Sequence, residues 1–321
     1  MQLVTPFAPA VFARRAGKYH NRSIGSKANS EGAFPSMSCI EKTVGLWEAG
    51  CAFSFRAGPR ANPDIAREAT YFAPGMIEVI SLRLAEETAP LGVLLKRLSS
   101  EEQLRAGRFV FERDCRRFVI GRVRLRELLA ERLNERPEAI ELTYGPRGKP
   151  ALAPRLAKSG LHFNLSHAED VAVYAFAFGL EVGVDVEAVR ELRDADEIAK
   201  RFFSRHERGA YFALDPHDRL QGFFNCWTRK EAFIKAVGDG LFRPLDSFDV
   251  SVAPGIPAEI LRVGDTPGER CGWQIESFSP APGFVAAVVS ADPERAIPGL
   301  RNSRSAARSH RAKAGTDARA F

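Results

Sequence analysis

Cysteine and methionine are scarce in this chain, with five and three among 321 residues. The cysteines (Cys39, Cys51, Cys115, Cys226 and Cys271) are odd in number and form no C-x-x-C pair. That argues against a disulfide framework or a thiolate zinc site, and for a reducing, cytoplasmic setting. Long apolar runs are missing too. The longest, Val171 to Leu180, stops at Glu181 and falls well short of the ~18 residues a membrane span needs, so no membrane partner is expected. The glycine-rich turn Tyr144-Gly-Pro-Arg-Gly-Lys-Pro150 has too few residues between Gly145 and Gly148 for a P-loop.

What is present is globular: 45% hydrophobic, 10% aromatic and 27% charged residues. Such a composition excludes disorder throughout, collagen and coiled coil. At ~150 residues per domain the length suggests about two domains or lobes. The net charge of +6 hints at nucleic acid until it is located. Residues 1–30 hold Arg14, Arg15, Lys18, Arg22 and Lys27 with no acid. Residues 294–321 hold seven basic residues against Glu294 and Asp317. Each end thus carries five net positive charges, which leaves four net negative on residues 31–293. The body is mildly acidic, and no nucleic-acid partner is expected for it.

Residues 1–75, rich in Ala, Arg, Gly, Ser and Pro, show no sustained period and read as an N-terminal arm, disordered or a start-site extension. The first thirty have the composition of a transit peptide as well. From Met76 the segment Ile-Glu-Val-Ile-Ser-Leu alternates like a half-buried strand. Ser99-Ser-Glu-Glu102 starts a long helical stretch to about Leu133. His162–His167, Val171–Phe178 and Val182–Glu187 read as strands, the first two joined by a polar turn. Helices are expected over Asp194–Phe203, over Arg205–Leu214 behind a Ser204/Glu207 capping box, and from Pro216 to Val237. Ser247–Val252, Trp273–Phe278 and Phe284–Ser290 close the body as strands, and 293–321 is a basic tail, expected disordered. This order predicts an α+β fold with mostly antiparallel pairing.

Three acids stand out. Asp185 and Glu187 share one face of a strand whose Val184 and Val186 face the core. Glu231 shares a helix face with Trp227 and Lys235. If folding gathers these carboxylates at ~4 Å, each like-charge pair costs roughly 4 kcal/mol at a dielectric near 20. A cation would offset that, and an all-oxygen donor set selects a hard ion such as Mg²⁺. A solvated strand edge and a helix salt bridge explain the same spacings without a metal. His167, after Asn164-Leu-Ser166, suits anion contact, or simply a turn.

Taken together, Phe163-Asn-Leu-Ser-His167, Val182-Gly-Val-Asp-Val-Glu187, Ile198-Ala-Lys-Arg-Phe-Phe-Ser204 and Trp227-Thr-Arg-Lys-Glu-Ala-Phe-Ile-Lys235 resemble a 4′-phosphopantetheinyl transferase of the surfactin-synthetase-activating type. Gly148-Lys-Pro150 and Leu245-Asp-Ser-Phe248 flank these motifs in register, and the resemblance spans about Met76 to Asp292. It implies two pseudo-symmetric α+β lobes, 76–180 and 181–292, with the metal site in the second and coenzyme A in the cleft between them. It implies transfer of the phosphopantetheine arm of coenzyme A to a serine of an apo acyl or peptidyl carrier protein, releasing 3′,5′-ADP. Asp185, Glu187 and Glu231 would hold Mg²⁺. Glu231, or a cation-bound water it orients, would deprotonate the serine. Lys235 would reach the pyrophosphate, as would Ser166 and His167, and Lys149, Arg105, Arg108 and Arg117 would form a cationic pocket for the 3′-phosphate.

Glu207 matches a family acid, but its capping box explains it structurally. Trp227, Phe224 and Phe233 are expected in the core. Lys200-Arg201 and Phe202-Phe203 are candidates for carrier docking, and a monomer is expected. A non-catalytic coenzyme A or carrier-binding homologue is the alternative.

Overall fold

A computed structural model of the chain describes residues 77–145, 148–238, 243–268 and 271–291, together with the backbone of 54–55 and 68–72. The basic tail and most of the N-terminal arm lie outside the described residues.

The chain opens with strands β1 (Ser54–Phe55), β2 (Glu68–Phe72) and β3 (Ile77–Arg83), then helices α1 (Leu91–Leu95), α2 (Ser100–Ala106) and α3 (Glu112–Leu133). A small hairpin, β4 (Leu142–Tyr144) and β5 (Pro150–Leu152), and one turn of helix, α4 (Pro154–Ala157), lead into β6 (Leu161–Ala168), β7 (Val171–Phe178) and β8 (Val182–Ala188). Helices α5 (Ala195–Phe202), α6 (Arg205–Phe212) and α7 (Arg219–Val237) follow. Strands β9 (Phe248–Val250), β10 (Ile260–Val263), β11 (Thr266–Pro267), β12 (Trp273–Phe278) and β13 (Phe284–Ala291) close the body. All strand pairs are antiparallel, so the fold is α+β as expected.

Three details differ from the sequence expectation. The arm is not wholly separate, because Glu68–Phe72 pairs with β3, Thr70 opposite Val79. The helical stretch from Ser99 is two helices: Gly107, a poor helix former, closes α2, and extended Phe111 opens α3. Finally, α7 starts at Arg219, because Pro216 sits in the turn before it.

Two sheets stack to make the body. The first runs β1-β2-β3-β7-β6 and the second β12-β13-β8. Ile80, Leu82, Tyr174 and Phe176 face α3, while Val79, Val173 and Ala175 on the opposite side meet Val184, Val186 and Val288 of the second sheet. Strand β7 is therefore buried on both faces, which is why its sequence is continuously apolar. Asn164, on edge strand β6, accepts a hydrogen bond at 2.8 Å from the backbone N–H of Val184 on edge strand β8, tying the sheets together. No described helix is long and apolar enough to cross a membrane.

One device occurs twice. Ser99 and Glu102 form a capping box on α2, and the buried Glu102 takes Arg126 of α3 at 2.7 Å. Ser204 and Glu207 form one on α6, and the buried Glu207 takes Lys230 of α7 at 2.7 Å. Each pair fastens a short helix to a long one. Glu207 also accepts from the N–H of Val250, and Lys230 donates to the carbonyls of Leu245 and Phe248, so the role of Glu207 is structural.

Candidate active site

The site begins with a glycine. In Val182-Gly-Val-Asp-Val-Glu187, Gly183 faces α7, and a Cβ there would stand 2.2 Å from the nitrogen of Ala236. Its lack of a side chain lets α7 lie directly on β8. Strand alternation then places Asp185 on the same face, under Glu231 and Lys235, while Val184 and Val186 enter the core.

Lys235 is the hub. Its Nζ lies 2.5 Å from Asp185 Oδ1 and 3.0 Å from Ser166 Oγ, and Ser166 Oγ in turn donates to Asp185 Oδ1 at 2.9 Å. Asp185 and Glu231 are buried, yet Asp185 Oδ2 and Glu231 Oε1 have no hydrogen-bond partner. Burial pushes the Glu231 carboxyl up to about 7, with the charge of Asp185 adding to the effect and Lys235 opposing it. Glu187 rises to about 8 through burial and the neighbouring Asp185, and Glu231 adds to this. Asp185 is raised by burial against the pull of Lys235. For Lys235, loss of solvent is outweighed by the surrounding acids, which hold its pKa up.

Buried carboxylate oxygens left without partners are costly. Their all-oxygen character fits a hard divalent cation that keeps positions for water and phosphate oxygens. Asp185, Glu187 and Glu231 supply such donors, but their carboxylate oxygens do not all lie within 4.8 Å of one another, so side-chain rotation would have to bring them onto one ion. By contrast, the Asp215, His217 and Asp218 group lies on an exposed turn, where clustered acids need no ion.

Most of the expected site residues converge. His167 ends β6 beside Ser166. Loss of solvent around its ring and the positive charges of Lys235 and Arg117 lower its pKa. Arg117 borders it and bonds Asp170 at 2.8 Å. Lys149 reaches the same end of α7, donating at 2.6 Å to the carbonyl of Lys235.

Arg105 and Arg108 lie elsewhere, on and just after α2. Arg105 shares the rings of Phe118 and Tyr144 with Arg122, which sequence reasoning missed. The Arg122 guanidinium is buried, with Nη1 unpartnered and Nε 3.5 Å from Glu102. Burial and the Arg122 charge lower the Arg105 pKa. Such a pair of cations is suited to an anion. The available signal was Phe118 and Arg122, one helical turn apart, ahead of Tyr144 at the glycine-rich turn.

The docking candidates on α5 divide. Phe203 is fully buried against Phe223 and belongs to the core, which removes it from the surface. Phe202 packs edge-on against Trp227, Arg201 stacks over Phe202, and Lys200 bonds Glu197 at 2.7 Å. Trp227, Phe224 and Phe233 are buried as expected. An open cavity of about 850 Å³ lined by Arg205, His206, Arg208 and Arg262 contains none of the converging residues.

Comparison with known proteins agrees with this geometry. Residues 181–289 match the family described as the 4′-phosphopantetheinyl transferase superfamily, and residues 87–178 match 4′-phosphopantetheinyl transferase, N-terminal. The chain is 36% identical over 208 residues to the 4′-phosphopantetheinyl transferase HetI of Nostoc sp., covering 65% of this chain and 84% of that one. It is 31% identical over 197 residues to the 4′-phosphopantetheinyl transferase Sfp of Bacillus subtilis, covering 61% and 84%. Mouse L-aminoadipate-semialdehyde dehydrogenase-phosphopantetheinyl transferase is 33% identical over 168 residues, covering 50% and 54%.

Proposed function

Because this chain belongs to the 4′-phosphopantetheinyl transferase superfamily, we propose that it moves the phosphopantetheine arm of coenzyme A, with Mg²⁺, to a serine of an apo acyl or peptidyl carrier protein and releases 3′,5′-ADP. Members of the family use coenzyme A to modify carrier proteins. The observation that carries the Mg²⁺ part is the pair of buried, unpartnered oxygens, Asp185 Oδ2 and Glu231 Oε1, beside the ammonium of Lys235.

In this reading residues 76–180 and 181–292 are two lobes, and the cofactor lies between them. Asp185, Glu187 and Glu231 would hold the cation, which would supply positive charge against the charge developing on the transferred phosphoryl group. Glu231, or a water it orients, would accept the serine proton. Lys235, already fixed by Asp185 and Ser166, donates to the diphosphate and steadies the leaving phosphate. Ser166 and His167 contact phosphate oxygens, with Lys149 and Arg117 adding charge at the rim. Arg105, Arg108 and the newly found Arg122 grip the 3′-phosphate. The protein is further read as a monomer and as cytoplasmic, the latter in keeping with the free Cys115, Cys226 and Cys271 among the described residues.

The test is direct. Purified protein is mixed with coenzyme A, Mg²⁺ and a panel of apo carriers, and the products are weighed by mass spectrometry. The expected result is one phosphopantetheine per carrier, abolished by a chelator and restored by excess Mg²⁺. Unmodified carriers throughout the panel would overturn the reading.

A further inference from the structure

Glycine inside a helix lowers stability relative to alanine, and it is kept where the backbone is left-handed or a neighbour would strike a Cβ. Gly222 of α7 is of the second kind, with Leu214 Cδ1 2.3 Å from the added atom. Gly209, in the middle of α6, is of neither kind. Its backbone is helical, and a Cβ there would meet nothing within 4 Å. Beside it lies the open cavity of about 850 Å³ that it helps to line. A residue that gives up helix stability with no packing in return keeps that volume open.

The charge of the cavity also sets it apart. Residues 31–293 carry four net negative charges, yet this lining holds Arg205, Arg208 and Arg262 against Asp246 and Asp249. Asp249 is buried and bonded twice by Arg262, at 2.7 and 3.1 Å, so those two charges offset one another. Glu207, one residue before Arg208, is buried against Lys230 and adds none. Arg208 donates to the carbonyl of Lys200 at 2.9 Å, a neutral partner that leaves its charge in place. The Arg205 side chain makes no ion pair or hydrogen bond among the described residues. Two guanidiniums and the His206 imidazole therefore line the cavity with one exposed carboxylate, Asp246.

We propose that this cavity binds a small phosphate monoester that also carries hydroxyl groups. Guanidinium forks match the geometry of phosphate oxygens, and the carboxylate of Asp246, which can only accept, takes a hydroxyl. The volume falls within the range of about 300–1,000 Å³ usual for small-molecule sites. Its one phenylalanine, Phe203, is fully buried against Phe223, so a nucleobase would find no such ring to stack on. That favours a sugar phosphate over a nucleotide. The assignment is independent of the transferase reading, because no residue used there lines this cavity.

The probe is ribose 5-phosphate, titrated by calorimetry without Mg²⁺ into four forms of the full chain. They are wild type, Gly209→Leu, the double variant Arg205→Gln with Arg208→Gln, and Lys235→Gln. One-to-one binding with Kd below about 1 mM is expected for wild type. Lys235→Gln, altered only in the candidate active site, should bind within about twofold of wild type. The arginine variant should bind about tenfold more weakly or worse. Gly209→Leu should do the same by filling the cavity with no change of charge, while its melting temperature holds or rises. That temperature separates a blocked site from a misfolded one. No binding to wild type, or unchanged binding to both cavity variants, would overturn the proposal. Weakening in only one of the two would overturn it too, because the site needs both the space and the charge. So would loss of binding in Lys235→Gln, which would move the phosphate to the candidate active site. A phosphoserine peptide that binds more tightly than ribose 5-phosphate would overturn the small-molecule assignment.

Discussion

A methyl group on Gly183 would stand 2.2 Å from the backbone nitrogen of Ala236 and 2.3 Å from the carbonyl oxygen of Ala232. No side chain can turn aside to relieve this, because both obstacles are helix backbone. Gly183→Ala must therefore lift α7 from β8, and with it Glu231 and Lys235 from Asp185. Overpacking of this kind costs about 1–3 kcal/mol, and a displacement near 1 Å can cost about a hundredfold in rate. Urea unfolding and a transfer assay should show activity falling by much more than the stability loss accounts for. A variant with wild-type turnover would show that the close approach is dispensable.

Lys230 and Glu231 adjoin in sequence but serve different tasks, and substitution should separate them. Lys230→Met leaves Glu207 buried without its partner at 2.7 Å. Breaking such a pair costs about 3–5 kcal/mol. Adding Glu207→Leu should recover part of that, since no lone charge then remains inside. Denaturant midpoints of the two variants test this, and a single variant as stable as wild type would show that the pair is not structural.

Removing the site acids should have opposite effects on stability. Glu231→Gln keeps the shape and relieves repulsion with Asp185, so stability should hold or rise while transfer falls about 10²–10⁴-fold. Asp185→Asn should also lose transfer, but it strips the buried Lys235 of its partner at 2.5 Å and should lower stability. Calorimetric titration with Mg²⁺ should show weakened binding in both. Undiminished Mg²⁺ affinity in both would refute the donor set.

The cations Arg105 and Arg122 make a ligand-specific prediction. Arg122→Met removes a guanidinium that shares two rings with Arg105. A charged hydrogen bond contributes about 1.5–3 kcal/mol, so KM for coenzyme A should rise about 10–100-fold. Dephospho-coenzyme A, which lacks the 3′-phosphate, should be little affected. Equal losses for both would place the arginines elsewhere than at that phosphate.

Much of this site was legible because its residues obey local rules. Asp185 and Glu187 share a face by strand alternation, Glu231 and Lys235 by helical spacing, and Ser204 with Glu207 announces a helix start, so the motifs place them before any tertiary contact is known. Other features were hidden because they exist only across the chain. Nothing near Lys230 in sequence points to Glu207, and Arg122 meets Tyr144 only through a contact across the chain. The split between α2 and α3 was missed because Val110 and Phe111 preserve the apolar period while breaking the backbone one. Phe203 looked like a surface residue beside Lys200 and Arg201, yet it faces Phe223 because α5 turns into α6 at that point.

Acid should reveal one further ion pair, between Asp249 and Arg262. Burial opposes ionisation of Asp249, but hydrogen bonds from Arg262, at 2.7 Å, and Ser204, together with the Arg262 charge, outweigh it and hold the carboxyl below its ordinary value. A depressed folded value means that the unfolded chain binds more protons over the interval between the two pKa values, so stability rises with pH there. The contribution is complete above the unfolded value near 4 and disappears as pH falls through the folded one. Asp249→Asn cannot follow that curve. Urea midpoints taken between pH 3 and pH 7 should show a constant deficit for Asp249→Asn near neutrality that narrows steadily below about pH 4. A deficit that stayed constant down to pH 3 would mean that the loss comes from packing around β9 and not from the charge on Asp249.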